Sequence, residues 1–140
     1  MTTRASSARK ATPPPQNGAP QSGARGVPYI RSTKEFERLV GRSTYTIVYF
    51  TAGWCNPCKK ISPVYEECHA KDVEGLVETF KVDVDECQDV CTSNNVAKMP
   101  TFQMWYANSP IYITEGADAA NLRAFVEHAH AMSRGEVPAS

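Results

Sequence analysis

The chain has 140 residues, with 15 basic and 15 acidic side chains that give a formal net charge of zero at pH 7. This balance excludes binding to nucleic acid or to an anionic membrane through bulk charge alone. The longest apolar run, Ile47 to Phe50, is far shorter than the ~20 residues of a membrane-spanning helix. The hydrophobic share of 41% suits one domain with one packed core.

The chain contains five cysteines without regular spacing. A secreted disulfide framework favours an even set of cysteines, so this odd number predicts an intracellular, reducing compartment.

Residues 1–26 differ in composition from the rest of the chain. They contain four basic residues, four prolines and no acidic residue. Such a segment buries too little apolar area to offset its ordering entropy, so we expect a disordered extension. The basic, acid-free and Ser/Ala-rich composition is also typical of a mitochondrial presequence, although Leu and Phe are absent. A mitochondrial and a cytosolic location both stay open.

Strand and helix patterns alternate through the predicted domain, residues 27–134, and a short flexible C-terminus is expected at 135–140. In chain order the predicted elements are a strand at Val27–Arg31, a helix from Ser32 to near Gly41, a strand at Tyr45–Thr51, a helix at Asn56–Ala70, a strand at Leu76–Val84, a short helix capped by Asp85 and ending at Asn94, strands at Thr101–Tyr106 and Ile111–Glu115, and a helix capped by Asp118.

Several local signals support these elements. Ser32 and Glu35 have the spacing of a capping box. The run Tyr45–Thr51 is continuously apolar, β-branched or aromatic, as expected of a strand that is buried on both faces. Asn108-Ser109-Pro110 predicts the turn of a hairpin. The order β-α-β-α-β-α-β-β-α predicts an α/β fold whose mixed central sheet is flanked by helices on both faces.

Two cysteines, Cys55 and Cys58, stand three residues apart at the start of the second predicted helix. At this spacing they share one helix face and lie within reach of a disulfide. The free N–H groups and the positive dipole end of the helix favour a thiolate at the first cysteine. Cys55 is therefore expected to be an exposed nucleophile with a lowered pKa. Cys58 is more covered and is expected to be the resolving thiol, while Pro57 suits the first helical turn.

Four motifs occur in a fixed order along residues 27–132. They are Trp54-Cys55-Asn56-Pro57-Cys58-Lys59, Pro63 five residues beyond the second cysteine, Val82-Asp83-Val84-Asp85-Glu86-Cys87-Gln88-Asp89-Val90, and Met99-Pro100-Thr101-Phe102 followed by Gly116. Together they resemble the thioredoxin family. The resemblance implies a thioredoxin-like fold and a thiol–disulfide oxidoreductase that acts on protein disulfides and is returned to its reduced form by an upstream reductant. It implies a redox-active disulfide and no other cofactor.

The resemblance also assigns residues to the site. Cys55 and Cys58 match the redox pair, and Trp54 matches the ring that flanks it. Pro100 matches the cis-proline that faces the disulfide. There the backbone of Met99 is expected to pair with an extended substrate peptide, beside Thr101.

Lys81 matches the lysine that the family keeps near the active site, whereas two other positions depart from the family pattern. The family's buried aspartate, six residues before the first cysteine, is Tyr49, and the family's Gly-Pro dipeptide between the cysteines is Asn56-Pro57. Tryparedoxins and nucleoredoxins also tend to carry an aromatic residue at the aspartate position. These departures predict slow or specialised redox activity.

Two alternatives stay open for the function. The first is a chaperone-like holdase that binds unfolded or extended chains in the same apolar groove, lined by Trp54, Met99 and Trp105. The second is a cysteine-ligated iron–sulfur or zinc centre to which two chains each donate Cys55 and Cys58. A monomer is expected, and a dimer stays open.

The three other cysteines are predicted to be packing residues. Cys68 completes the apolar stripe of the second helix. Cys87 and Cys91 are four residues apart, and an oxidation-sensitive pair is the alternative.

Overall fold

The computed structural model describes residues 26–72 and 75–136. The extension predicted at residues 1–26 therefore lies outside the described residues, except for Gly26. Of the flexible C-terminus predicted at 135–140, residues 137–140 lie outside the described residues.

Within the described residues, five strands and four helices follow one another in the order that the sequence predicts. The strands are β1 (Tyr29–Ile30), β2 (Tyr45–Thr51), β3 (Val77–Asp83), β4 (Thr101–Tyr106) and β5 (Ser109–Glu115). The helices are α1 (Thr33–Val40), α2 (Asn56–Lys71), α3 (Gln88–Ser93) and α4 (Ala119–Ser133). None of the helices within these described ranges is long and apolar enough to cross a membrane.

The strands form one mixed sheet in the order β1-β3-β2-β4-β5. β1, β3 and β2 are parallel to one another, while β4 runs antiparallel to both β2 and β5. The central strand, β2, sends alternate side chains into two separate cores. Ile47 and Tyr49 join the core under α2 and α4, whereas Val48 and Phe50 join the core under α1 and α3. The expected mixed sheet with helices on both faces is confirmed.

Two helix caps form as predicted. The Ser32 hydroxyl accepts a hydrogen bond from the Glu35 N–H at 3.1 Å, and the Asp118 carboxylate accepts one from the Asn121 N–H at 3.0 Å. The return bond of the capping box shifts by one residue, because the Glu35 carboxylate accepts from the Arg31 N–H at 2.8 Å.

Three local predictions are wrong. β1 is shorter than predicted because only Tyr29 and Ile30 pair with β3, while the N–H of Val27 donates to the side chain of Glu66. Asp85 does not cap α3, whose N-cap is Cys87, without a side-chain hydrogen bond. The carboxylate of Asp85 is directed to Trp54 instead.

The third wrong prediction concerns the hairpin between β4 and β5. Its turn is formed by Ala107 and Asn108, whose φ angles of 51° and 70° give the two left-handed residues of a tight two-residue loop. Pro110 lies within β5, opposite Trp105. A proline is tolerated there because β5 is an edge strand of the sheet.

Candidate active site

The redox pair lies where the central strand passes into α2. Cys55 is the N-cap of α2 with an extended backbone, and its Sγ accepts a hydrogen bond from the Cys58 N–H at 3.2 Å. The two sulfur atoms are joined as a disulfide, with the Cα atoms 5.3 Å apart. Asn56 and Pro57 form the exposed first turn between them, where the missing N–H of Pro57 leaves no helical hydrogen bond unmade.

The prediction that Cys55 is exposed is wrong for this disulfide form. Cys55 is 4% exposed and Cys58 is 1% exposed. The Cys55 sulfur is covered because it bonds to Cys58 and accepts the N–H at the start of the helix. Cys58 is nevertheless the more buried of the two cysteines, as predicted. Because neither sulfur carries a free thiol here, a lowered pKa at Cys55 stays a prediction.

Trp54 is the large exposed side chain beside the disulfide. It is 62% exposed, and its indole N–H donates to the Asp85 carboxylate at 3.0 Å. The backbone N–H of Asp85 in turn donates to the Asp83 side chain at 2.8 Å. The turn after β3 therefore fixes the ring beside the redox pair, a role for Asp85 that local capping rules do not indicate.

The loop that precedes β4 lies at the same end of the sheet. The Met99–Pro100 peptide bond is cis, as the family resemblance implies. Thr101 begins β4 and pairs with Phe50 near the end of β2, so the strand carries this loop to the end where β2 passes into Cys55. Met99 is half-buried and packs against the core that contains both cysteines. Thr101 is buried, and its hydroxyl donates to the Lys98 carbonyl.

Tyr49 is completely buried beneath the resolving cysteine. Its ring stacks on Phe102 at 4.7 Å between centroids and meets Tyr65 edge-on at 5.0 Å. Its hydroxyl donates to the Cys58 carbonyl at 3.0 Å and lies 2.7 Å from the Ser62 hydroxyl. The Ser62 hydroxyl also donates to the Cys58 carbonyl, at 2.8 Å. Two neutral hydroxyl groups therefore lie where the family has a carboxylate.

Lys81 forms an ion pair with Glu66 of α2. It is the register neighbour of Tyr49 in the sheet, and its Nζ lies 2.6 Å from Glu66 Oε2. The same ammonium lies 5.0 Å from the centroid of the Tyr29 ring, and its side chain is only 14% exposed. The carboxylate that pairs with Lys81 is that of Glu66, a contact that the sequence prediction missed.

The three remaining cysteines are free thiols, and Cys87 and Cys91 are buried. Burial raises the pKa of Cys68, and it raises the pKa of Cys87, where the nearby Glu86 carboxylate adds to the effect. Burial, with the adjacent Cys87, raises the pKa of Cys91 to about 11. These environments agree with the predicted packing role, because only thiolates are good nucleophiles.

Within residues 26–72 and 75–136, no group of three or more His, Cys, Asp or Glu side chains could hold a metal ion.

Known proteins match this fold and this arrangement. The family model named Thioredoxin matches residues 27–128. Thioredoxin 1 of Plasmodium falciparum is 38% identical over 101 residues, which are 72% of this chain and 95% of that protein. Thioredoxin O1, mitochondrial, of Arabidopsis thaliana is 32% identical and covers 75% of this chain and 56% of its own length.

A solved structure agrees with the sequence matches. The crystal structure of Malassezia sympodialis thioredoxin superposes with a TM-score of 0.71 at 32% identity, covering 74% of this chain and 92% of that one. Thioredoxins work through a redox-active disulfide without a further cofactor, act on protein disulfides and are reduced by upstream reductases. These comparisons support the oxidoreductase hypothesis and give the chaperone hypothesis no comparable support. The chain belongs to the thioredoxin family and, with its Cys55–Cys58 pair in place, is a thiol–disulfide oxidoreductase.

Proposed function

We propose that this chain is a specialised protein-disulfide reductase whose resolving step proceeds without a buried carboxylate. The observation that carries the proposal is the pair of hydroxyl groups on the Cys58 carbonyl, contributed by Tyr49 and Ser62. A phenol, with an ordinary pKa of about 10, keeps its proton at neutral pH and is a poor general base.

The reaction has two thiol–disulfide exchanges. The Cys55 thiolate attacks one sulfur of the substrate disulfide, which forms a mixed disulfide and releases one substrate thiolate. The Cys58 thiolate then attacks Cys55 Sγ, which forms the Cys55–Cys58 disulfide and releases the second substrate thiolate. The two released thiolates take up the protons lost by the two cysteines. The substrate gains two electrons from the pair, and an upstream disulfide reductase then supplies two electrons and two protons that return Cys55 and Cys58 to thiols.

The substrate would bind along the loop before β4. Met99 lies two residues before Thr101, which forms the end pair between β4 and β2 with Phe50. The backbone at Met99 therefore suits an extended peptide that is added as a short strand beside Pro100. Trp54, the residue before Cys55, offers an exposed ring that is held by Asp85. A substrate that is partly extended near its disulfide fits this arrangement best.

Residues 27–134 form the catalytic domain in this proposal, and residues 1–26 act as a mitochondrial address. The basic, acid-free composition of that segment supports the address, as does the mitochondrial name of the Arabidopsis relative. The alternative is a cytosolic, reducing location. The working unit is proposed to be a monomer, because each chain carries both redox cysteines.

The disulfide-reductase function is tested with insulin as substrate and dithiothreitol as reductant. Wild-type protein is expected to accelerate the precipitation of reduced insulin, and the Cys55→Ser, Cys58→Ser double variant is expected to lose this activity. The Cys68→Ser variant is the matched control and is expected to keep it. Protection of an unfolded client by the double variant, with no turnover in the wild type, would favour the holdase instead.

The alternative of a cysteine-ligated cluster shared by two chains needs a separate measurement. Visible absorbance after anaerobic incubation with iron and sulfide would reveal such a cluster.

Selective alkylation tests the role of Cys55. After reduction, Cys55 is expected to react fastest with iodoacetamide at neutral pH, because it lies at the N-terminus of α2. Cys91 is expected to react slowest, since a pKa of about 11 leaves a thiolate fraction of ~10⁻⁴ at neutral pH. Mass spectrometry after a brief exposure gives the order of labelling. Labelling of Cys68 as fast as that of Cys55 would contradict the assignment.

The Tyr49→Asp variant tests the missing base. It is expected to raise reductase turnover at neutral pH by about tenfold or more, because general-base assistance contributes ~10²–10⁴-fold where it operates. It is also expected to lower the free energy of unfolding by about 2–5 kcal/mol, since the ring contacts of Tyr49 are lost and a carboxylate is buried.

The Tyr49→Asn variant separates these two effects. Asparagine has nearly the volume of aspartate but cannot act as the base, so it should share the loss of stability and not the gain in turnover. Equal turnover of the aspartate and asparagine variants in the insulin assay would refute the account of Tyr49.

A fusion of residues 1–26 to a fluorescent reporter tests the proposed location. The fusion is expected to bring the reporter into mitochondria. A matched fusion in which the four basic residues are replaced by glutamine should leave the reporter diffuse, because the presequence depends on positive charge. Diffuse fluorescence from both fusions would favour the cytosolic alternative.

A further inference from the structure

Ser62 makes a contact with the redox site that the reaction described above does not use. It lies on α2 four residues after Cys58, so the two residues share one face of the helix. The Ser62 hydroxyl donates to the Cys58 carbonyl at 2.8 Å, and it lies 2.7 Å from the Tyr49 hydroxyl. The Tyr49 hydroxyl reaches the same carbonyl at 3.0 Å. Both hydroxyl groups therefore converge on one backbone atom of the resolving cysteine.

The position of the Tyr49 hydroxyl is fixed by its surroundings. The ring is completely buried between Phe102 and Tyr65. Tyr65 is held in turn, because its own hydroxyl donates to the carbonyl groups of Ile47 and Phe80 at 3.1 and 3.0 Å. The sheet thus presents a fixed hydroxyl to α2, and this hydroxyl lies within hydrogen-bond distance of both the Cys58 carbonyl and the Ser62 hydroxyl.

The first turn of α2 needs such a connection. Pro63 lies inside the helix and has no N–H to donate to the carbonyl of Lys59, which weakens the backbone link between the first turn and the rest of α2. Cys58 has two further attachments on its N-terminal side, namely the disulfide and the hydrogen bond from its N–H to Cys55 Sγ. Both of these attachments depend on the position of the Cys55 sulfur.

The mixed disulfide removes the covalent attachment and redirects the Cys55 sulfur toward the substrate. The hydroxyl contacts on the Cys58 carbonyl involve no sulfur atom, so the exchange of sulfur bonds breaks none of them directly. We propose that Ser62, together with Tyr49, is a positioning residue that keeps Cys58 aimed at Cys55 while the mixed disulfide exists. Correct placement of two reacting groups is worth a large effective concentration, and small displacements lower the rate steeply.

This inference rests on the oxidoreductase function but concerns only its second exchange. In that exchange a Cys58–Cys55 sulfur bond forms, the bond from Cys55 to the substrate breaks, and the electron pair leaves on the substrate sulfur. Ser62 exchanges no proton and no electron in this scheme. Its removal should therefore slow the second exchange and leave the first exchange unchanged.

The two exchanges can be measured separately with 5,5′-dithiobis(2-nitrobenzoic acid) as substrate. Fully reduced protein is mixed with an equimolar amount of this reagent in a stopped-flow instrument. Attack by Cys55 releases one coloured thiolate, and resolution by Cys58 releases the second. For Ser62→Ala we expect the second phase to slow about tenfold and the first phase to stay within about twofold of wild type.

Three further variants separate positioning from a general effect on the fold. Ser62→Thr restores the hydroxyl and should bring the second phase back to within about twofold of wild type. Tyr49→Phe should slow the second phase, and the double variant with Ser62→Ala should be no slower than the slower single variant, because both act on one network. Ser133→Ala is the matched control, since the Ser133 hydroxyl donates to the His130 carbonyl of α4 at 2.7 Å and is remote in the chain from the redox pair.

The pH profile of the second phase adds a test that a structural defect would not pass. A positioning residue lowers the rate by the same factor at each pH, so the profile of Ser62→Ala should keep the wild-type shape. A changed shape would assign Ser62 to proton transfer and overturn the proposal. Equal slowing of both phases, slowing no greater than in Ser133→Ala, or failure of Ser62→Thr to restore the rate would also overturn it. If the wild-type protein shows neither phase, the oxidoreductase function itself is refuted, and not only the role of Ser62.

Discussion

Cys58 is held by hydrogen bonds at both ends of its backbone, and the geometry of the site follows from them. Its N–H donates to Cys55 Sγ, and its carbonyl accepts from hydroxyl groups that belong to α2 and to the central strand. β2 supplies Tyr49 and leads directly into Cys55, so one strand fixes both sides of the redox pair. Its two neighbours add the remaining parts, because β3 leads to Asp85 and β4 follows Pro100.

The substitution of the family aspartate redistributes charge within the same face of the sheet. A carboxylate at position 49 would be buried beside Lys81, its register neighbour. With Tyr49 there, the carboxylate that pairs with Lys81 is Glu66, in a half-exposed position on α2. A buried charge is costly unless it is paired, whereas a stacked aromatic ring contributes packing. The core gains the contact between Tyr49 and Phe102, and the redox site loses a proton acceptor.

The sequence predicts those parts of the molecule that repeat a local pattern or match a family motif. The apolar run of β2 and the placement of Cys55 and Cys58 are of this kind. The sequence does not predict the contact of Asp85 with Trp54, because a position shortly before a helix is typical of a capping residue. Its actual partner, Trp54, lies 31 residues away in the chain. Ser62 carries no periodic signal, and only its spacing of four residues from Cys58 on a common helix face could have drawn attention to it.

Neutral hydroxyl groups and a carboxylate respond differently to pH, and this difference bears on what the site can do. A carboxylate beneath Cys58 would change its charge and its hydrogen bonds at its own pKa, so positioning and proton transfer would change together. Serine and tyrosine hydroxyl groups are neutral hydrogen-bond donors, and the two that reach the Cys58 carbonyl belong to Ser62 and Tyr49. Positioning of Cys58 is thereby uncoupled from proton transfer. The second exchange then depends on pH chiefly through the thiols that react.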